Sequence, residues 1–286
     1  MRILLMFGWR GVLALALVSN APEALAGPFD PQVGQPGSTG AISALSPLIT
    51  GWASSVVSFR RGPQDISNPS SPLASIGKPT DVLGAATGSS HLVSLGDGGS
   101  ITLGFDRAIA NGAGADFAVF ENGFLSGGAG MALLELGLVS VSSDGVHFFE
   151  FPSISLTQTV TQVGGFSLLD ASNLSNLAGK YIGGYGTGFD LQDLAGLSPL
   201  LDINLVTQVR ITDVIGSIDP AYGSYDSQGH LINDPFKTPF ASSGFDLSGV
   251  GVIHAAVPEP ATLISMLTGL GLMGLATARR ARARLA

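Results

Sequence analysis

Between Gly27 and Ala256 the apolar residues recur mostly with a period of two, in short runs divided by Gly, Asp, Asn and Pro. That pattern constrains the chain more than any other. Alternation over four to eight residues marks a half-buried strand, and the dividers are the residues that turn a chain back on itself. Ser100 to Phe105 is apolar at its odd positions, Phe117 to Phe120 has the form of a fully buried strand, and Leu138 to Ser142 alternates. Asp144-Gly145 predicts the positive-φ pair of a tight hairpin turn, with Val146 to Phe151 as the returning strand. Val209 to Val214 and Phe245 to Ile253 complete the recognisable strands, and helical periodicity is limited to a turn or two around Leu174 to Leu177 and Leu191 to Leu197. Only 12% of residues are charged and 40 are Gly, which excludes a coiled coil, while 45% hydrophobic residues exclude a disordered chain. Short antiparallel strands over this length predict an all-β body over residues 27–256, a jelly-roll-like two-sheet β-sandwich.

No cysteine occurs, so stability must come from the core or from bound ions, and thiol nucleophiles, thiolate metal sites and redox chemistry are excluded. The body holds 19 acidic against 7 basic residues, net −12, more acidic than the −8 of the whole chain because six arginines sit at its ends. Such a surface repels phosphate backbones, so nucleic acid is not an expected partner.

Both ends have the form of sorting signals. Arg2 and Arg10 precede the apolar run Gly11 to Val18, and Ala24 and Ala26 place small residues where signal peptidase requires them, so residues 1–26 are expected to be a cleaved export signal helix. Ala261 to Ala278 is an uncharged run of 18 residues, about 27 Å as a helix, enough to cross a bilayer core. Arg279, Arg280, Arg282 and Arg284 follow at once and orient this transmembrane helix with the body outside the cytoplasm. Pro258-Glu259-Pro260 stands just before the span, held extended by its prolines. Pro-Glu-Pro, an apolar Gly-rich helix and a terminal Arg cluster, in that order over residues 257–286, resemble the PEP-CTERM sorting signal of exported Gram-negative bacterial proteins. The resemblance implies processing by exosortase, a membrane-embedded cysteine protease-transpeptidase. Pro258, Glu259 and Pro260 would be its recognition element, and arginines such as Arg279 and Arg280 the stop-transfer clamp. It also implies a host that makes exopolysaccharide, and passage through the inner membrane to the cell surface or beyond. Gly269 to Gly274 matches the GxGxxG pattern, but it lies inside the apolar span with no strand before it and is not a nucleotide site.

Leu95 to Phe105, Asp116 to Phe124 and Val139 to Phe148, with the Ser142-Ser143-Asp144-Gly145 hairpin and the closing strand Gly244 to Ile253, resemble the galactose-binding-like jelly rolls of many carbohydrate-binding modules. That likeness implies a fold rather than a ligand.

Calcium is the candidate cofactor, because acidic Gly-rich loops supply the oxygen ligands hard cations need. One candidate cluster is Asp116, Glu121 and Asn122; a second is the loop carrying Asp219, Asp226 and Asp234. No EF-hand series is present. Sugar stacking has candidates in Trp52, Tyr181, Tyr185, Tyr222 and Tyr225, the tyrosines standing in Gly-rich loops. A nucleophile elbow is missing, and the four histidines stand singly rather than at zinc-motif spacing. The expectation is a non-enzymatic exported protein that binds extracellular polysaccharide or cell-surface partners. The alternative is a secreted carbohydrate-active hydrolase using paired carboxylates such as Glu121, Glu135 and Glu150.

Overall fold

The computed structural model describes residues 27–86, 91–125, 128 and 130–257. The sorting-signal residues Ala24, Ala26, Pro258, Glu259, Pro260, Arg279 and Arg280, and both expected terminal helices, lie outside the described residues. Among the described residues no helix is long and apolar enough to cross a membrane.

The body is all-β, as the alternation predicts. One antiparallel sheet runs in the order Ala41–Ser43, Tyr185–Phe189, Phe117–Glu121, Asp246–Val252, Gly51–Trp52, with Val93–Ser94 pairing the start of Asp246–Val252. The second runs Phe149–Glu150, Gly137–Ser142, Val206–Asp213, Ser100–Ile109, Ser55–Arg60. Helix among the described residues is limited to three 3-10 turns, Pro79–Val82, Ala171–Asn173 and Leu191–Leu194. The Leu191 turn falls where helical spacing was expected. Leu174 instead opens the two-residue strand Leu174–Ser175, because the 3-10 turn ahead of it is capped by the Asp170 carboxylate accepting from Ser172 N at 2.9 Å.

The alternation decides the layers. Phe117 and Val119 face inward and join Phe189, Leu247 and Val250 of their own sheet to Val139, Val141, Val209, Ile211, Ile101 and Leu103 of the other in one buried core. Ala118 and Phe120 point the other way and pack with Trp52 and Ile42 on the outer face. At the centre the Phe117 and Phe189 rings stack with centroids 5.4 Å apart, and Phe151 meets both edge-on at 5.8 and 5.0 Å. A second, smaller core gathers Leu134, Leu136, Leu169, Leu174, Val214 and Ile232 beneath the long connections.

One local expectation is corrected. The connection after Leu138–Ser142 is not a two-residue hairpin, because pairing resumes only at Phe149, opposite Val141. Of Asp144 and Gly145 only the glycine has positive φ, 77°. The Asp144 carboxylate organises a wider loop by accepting from Val146 N and His147 N, each at 2.8 Å, and its exposed acid is held below the usual carboxylate range chiefly by the His147 side chain at 2.6 Å.

Strand direction fixes the two ends of the sandwich. Leu247 pairs with Glu121, Asp213 with Gly137 and Thr212 with Ser100, so the end of Phe117–Glu121, the start of Asp246–Val252, the end of Val206–Asp213 and the start of Ser100–Ile109 share one end. Val252 pairs with Phe117 and Ala255 bridges Ile109 at the other, where the described chain runs out through His254 to Val257. Phe189→Ala should cost about 3–5 kcal/mol in denaturant unfolding, since it opens a void at the meeting of three rings; a loss under about 1 kcal/mol would show that these rings do not hold the sheets together.

Candidate functional site

Six carboxylates collect at the first of these ends: Asp97, Glu121, Glu135, Asp213, Asp234 and Asp246. Each is placed by a strand terminus or by a loop tied to one. Glu121 closes its strand, and its Oε2 accepts from Gly123 N at 2.6 Å. A Cβ at Gly123 would fall 2.9 Å from that oxygen, so the close approach needs glycine. Asp246 opens the neighbouring strand and accepts from the Ser94 hydroxyl and from Asn122 Nδ2 at 3.3 Å. Asp213 accepts from Gly98 N at 2.8 Å and Phe245 N at 2.6 Å; Gly244, at φ 71°, turns the chain so that Phe245 N reaches it. Asp234 Oδ2 accepts from Leu136 N at 2.9 Å, while its buried Oδ1 has no hydrogen-bond partner. Among the described residues no donor is hydrogen-bonded to the Glu135 carboxylate.

Burial raises every one of these acids. Glu121 is pushed well above the usual range by desolvation first and then by the Asp246 charge, and Glu135 by desolvation and then by Asp246, Glu121, Asp234 and Asp213. Desolvation lifts Asp213 and Asp234 as well, and carries Asp97 and Asp246 to about 6. Basic side chains compensate only in part: the Arg61 charge lowers Asp246 and the Lys237 charge lowers Asp97, each by less than burial raises it. The Arg61 charge lies within reach of Asp246, but its guanidinium hydrogen-bonds to the backbone carbonyls of Ser94, Ile76 and Gly77. Lys237 pairs with Asp65 at 3.2 Å.

Above Glu135 and Asp246 opens a cavity of about 220 Å³ with no basic residue in its lining. Three phenylalanines stand at its mouth: Phe124 is 55% exposed, Phe166 74% and Phe240 40%. Phe166 and Phe240 lie 5.2 Å apart, centroid to centroid. Asn122, Thr238 and Ser242 supply neutral polar groups to the same wall. A second cavity, of about 300 Å³, lies against Glu121 and Asn122 on the side of Phe120, Gly183 and Ser248.

The structure gathers Glu121, Asn122 and Asp234 here and separates the other expected calcium ligands. Asp116 immediately precedes the strand that Glu121 ends, roughly 16 Å away at ~3.3 Å per residue. It is buried at the opposite end and satisfied by Gly112 N, Leu191 N and His254 Nδ1, all at 2.7 Å. Asp226 organises its own turn, accepting from Gln228 N, His230 N and Ser155 N, and exposed Asp219 accepts from Ala221 N. Among the described residues no three His, Cys, Asp or Glu side chains converge as a metal centre would require.

Of the expected stacking residues, Tyr181 is only 3% exposed and its hydroxyl donates to Asp30 at 2.6 Å, so it belongs to the packing. Trp52 leans on Phe120 with centroids 5.3 Å apart, and Tyr185 is half-buried in its strand. Tyr222 and Tyr225 are exposed, in the connection that leads from Asp213 towards Asp246. Glu135, Asp246 and the three phenylalanines were missed as binding residues. Phe166 and Phe240 lie outside every alternating run, among Gly, Ser, Thr and Pro, and that position was the available signal.

Acids whose folded pKa lies above the unfolded value oppose folding where they are ionised, and that penalty fades as pH falls from the folded towards the unfolded value. Asp30, Asp65, Asp144 and Asp226, held low, lose their stabilising effect only below about pH 4. The protein should therefore melt at least roughly 4 °C higher at pH 5 than at pH 8, and Glu135→Gln should raise the pH 8 melt and shrink the difference. A melt that falls steadily over this range would contradict the burial described. No known protein-family model matches the chain, and no curated protein matches it.

Proposed function

We propose that this is an exported surface or matrix protein that binds extracellular polysaccharide through the aromatic-rimmed, acidic cavity, and that it is delivered by an N-terminal signal and a PEP-CTERM tail. The observation that carries the reading is the pairing of exposed Phe166 and Phe240 with Asn122, Glu135, Asp246, Thr238 and Ser242 around one cavity. Flat apolar faces beside hydrogen-bonding groups match the alternation of C–H faces and hydroxyls on a pyranose ring. The cavity lies at the end of the sandwich away from Val257, so a body tethered through its tail presents it outward. Binding at that mouth needs no chemical step, which is the sense in which the protein is non-enzymatic.

One observation favours a second reading. Carboxyls raised by burial and by one another are the equipment of a general acid, and Glu121, Glu135 and Asp246 stand together. A hydrolase would release reducing ends from labelled host polysaccharide and lose that activity in Glu135→Gln, whereas a binding protein retains polymer without turnover.

The test of binding is retention of the protein, isolated in detergent, on insoluble exopolysaccharide of its host. Phe166→Ala should weaken retention about tenfold, a change of about 1.4 kcal/mol, with an unchanged melting temperature because the ring is exposed. Undiminished retention would take the aromatic rim out of the site. Sorting is tested separately: mass spectrometry of the mature protein should find a C-terminus ahead of the 261–278 span in an exosortase-bearing host, and an intact Arg-tipped terminus there would refute the tail reading.

A further inference from the structure

The acidic cavity has no basic residue in its lining, and the Arg61 charge acts on Asp246 from outside that lining. Glu135 and Asp246 face it, and Glu121 and Asp234 act on Glu135 from behind. The nearby Arg61 is hydrogen-bonded to three backbone carbonyls. Asp234 Oδ1 is buried behind the cavity lining without a partner, and among the described residues nothing donates to the half-buried Glu135 carboxyl. That carboxyl, which lines the cavity, is therefore open to a donor and a positive charge from outside.

The form of that charge follows from the rest of the cavity. The acids do not converge in threes as a compact metal ion requires. Glu135 and Asp246 share the cavity lining with three exposed aromatic rings, whose faces attract a cation and cover an apolar body. A space of about 220 Å³ is small beside ordinary ligand pockets and suits one ring-sized unit. Asn122, Thr238 and Ser242 offer hydrogen bonds to hydroxyls. We infer that the cavity binds an amino-sugar unit carrying a free ammonium group, within a polymer of partly or wholly de-N-acetylated hexosamine. The inference rests on the polysaccharide-binding reading and names the class of sugar. The ammonium lies against Glu135 and Asp246, and the ring lies across Phe166 and Phe240.

The test uses the whole protein in detergent at pH 7, by calorimetry, with four probes: a glucosamine hexamer, its fully N-acetylated counterpart, a neutral β-glucan hexamer and calcium chloride. The glucosamine hexamer should bind at least about tenfold more tightly than the acetylated one, since acetylation removes the charge, a difference of about 1.4 kcal/mol. Glu135→Gln should weaken it at least as much while melting no lower than the parent, and Phe166→Ala, altered only at the exposed rim, should weaken it independently. Affinity should follow a bell in pH. It falls on the acid side as Glu135 and Asp246, with Glu121 and Asp234 behind them and Arg61 beside them, take up protons, and on the alkaline side as the amine loses its own. Equal affinity for the acetylated or neutral hexamer overturns the ammonium assignment and leaves polysaccharide binding standing. Failure to bind any hexamer, with no retention on host polysaccharide, overturns both. Calcium binding abolished by Glu135→Gln, without glucosamine binding, overturns the inference in favour of a metal site.

Discussion

Carboxylates accepting backbone N–H groups hold this sandwich in shape. A body with no cysteine, almost no helix among the described residues and long Gly-rich connections has few other means of fixing its loops. Asp213 ties the Gly98 turn to Phe245, Asp116 ties Gly112 to Leu191, and Asp234 reaches 98 residues back along the chain to Leu136 N. The bonds to Phe245, Leu191 and Leu136 each satisfy a buried amide that would otherwise be orphaned. Part of the body's acidity is thus internal structural material.

Such bonds do not cost the same everywhere. Asp116, with three donors of which one is a histidine, is fully matched at the end where the described chain runs out. At the opposite end Glu121, Glu135, Asp234 and Asp246 share too few donors and no ion pair, and their mutual repulsion adds to desolvation. Buried like charges that oppose folding are the mark of a site kept for something other than stability. This asymmetry between the two ends is the ground for proposing a ligand site at the carboxylate-rich one.

Calcium and hydrolysis both look to the same carboxylates, and the reading by an ammonium-bearing sugar differs from them in using the aromatic rim. Phe124, Phe166 and Phe240 have no part in either buried core. These rings, left exposed around an acidic opening, are the observation on which the proposed ammonium-bearing sugar rests.

The sequence by itself determined the all-β class, because side chains alternate strictly in a strand and a half-buried sheet writes that period into the chain. Strand geometry puts Phe117 and Val119 on one face and Ala118 and Phe120 on the other, but in an all-apolar run only the strand pairing decided which face meets the main core. Local turn chemistry was less legible: Asp144-Gly145 belongs to a wider loop because the aspartate spends its carboxylate on the backbone of Val146 and His147. Only the tertiary structure decided which acids meet. Asp116 and Glu121 are close in sequence but a whole strand apart, whereas Glu121, Glu135, Asp234 and Asp246 come together through strand register and one long connection, which no local pattern encodes. The cavity and its phenylalanine rim follow from that same non-local pairing.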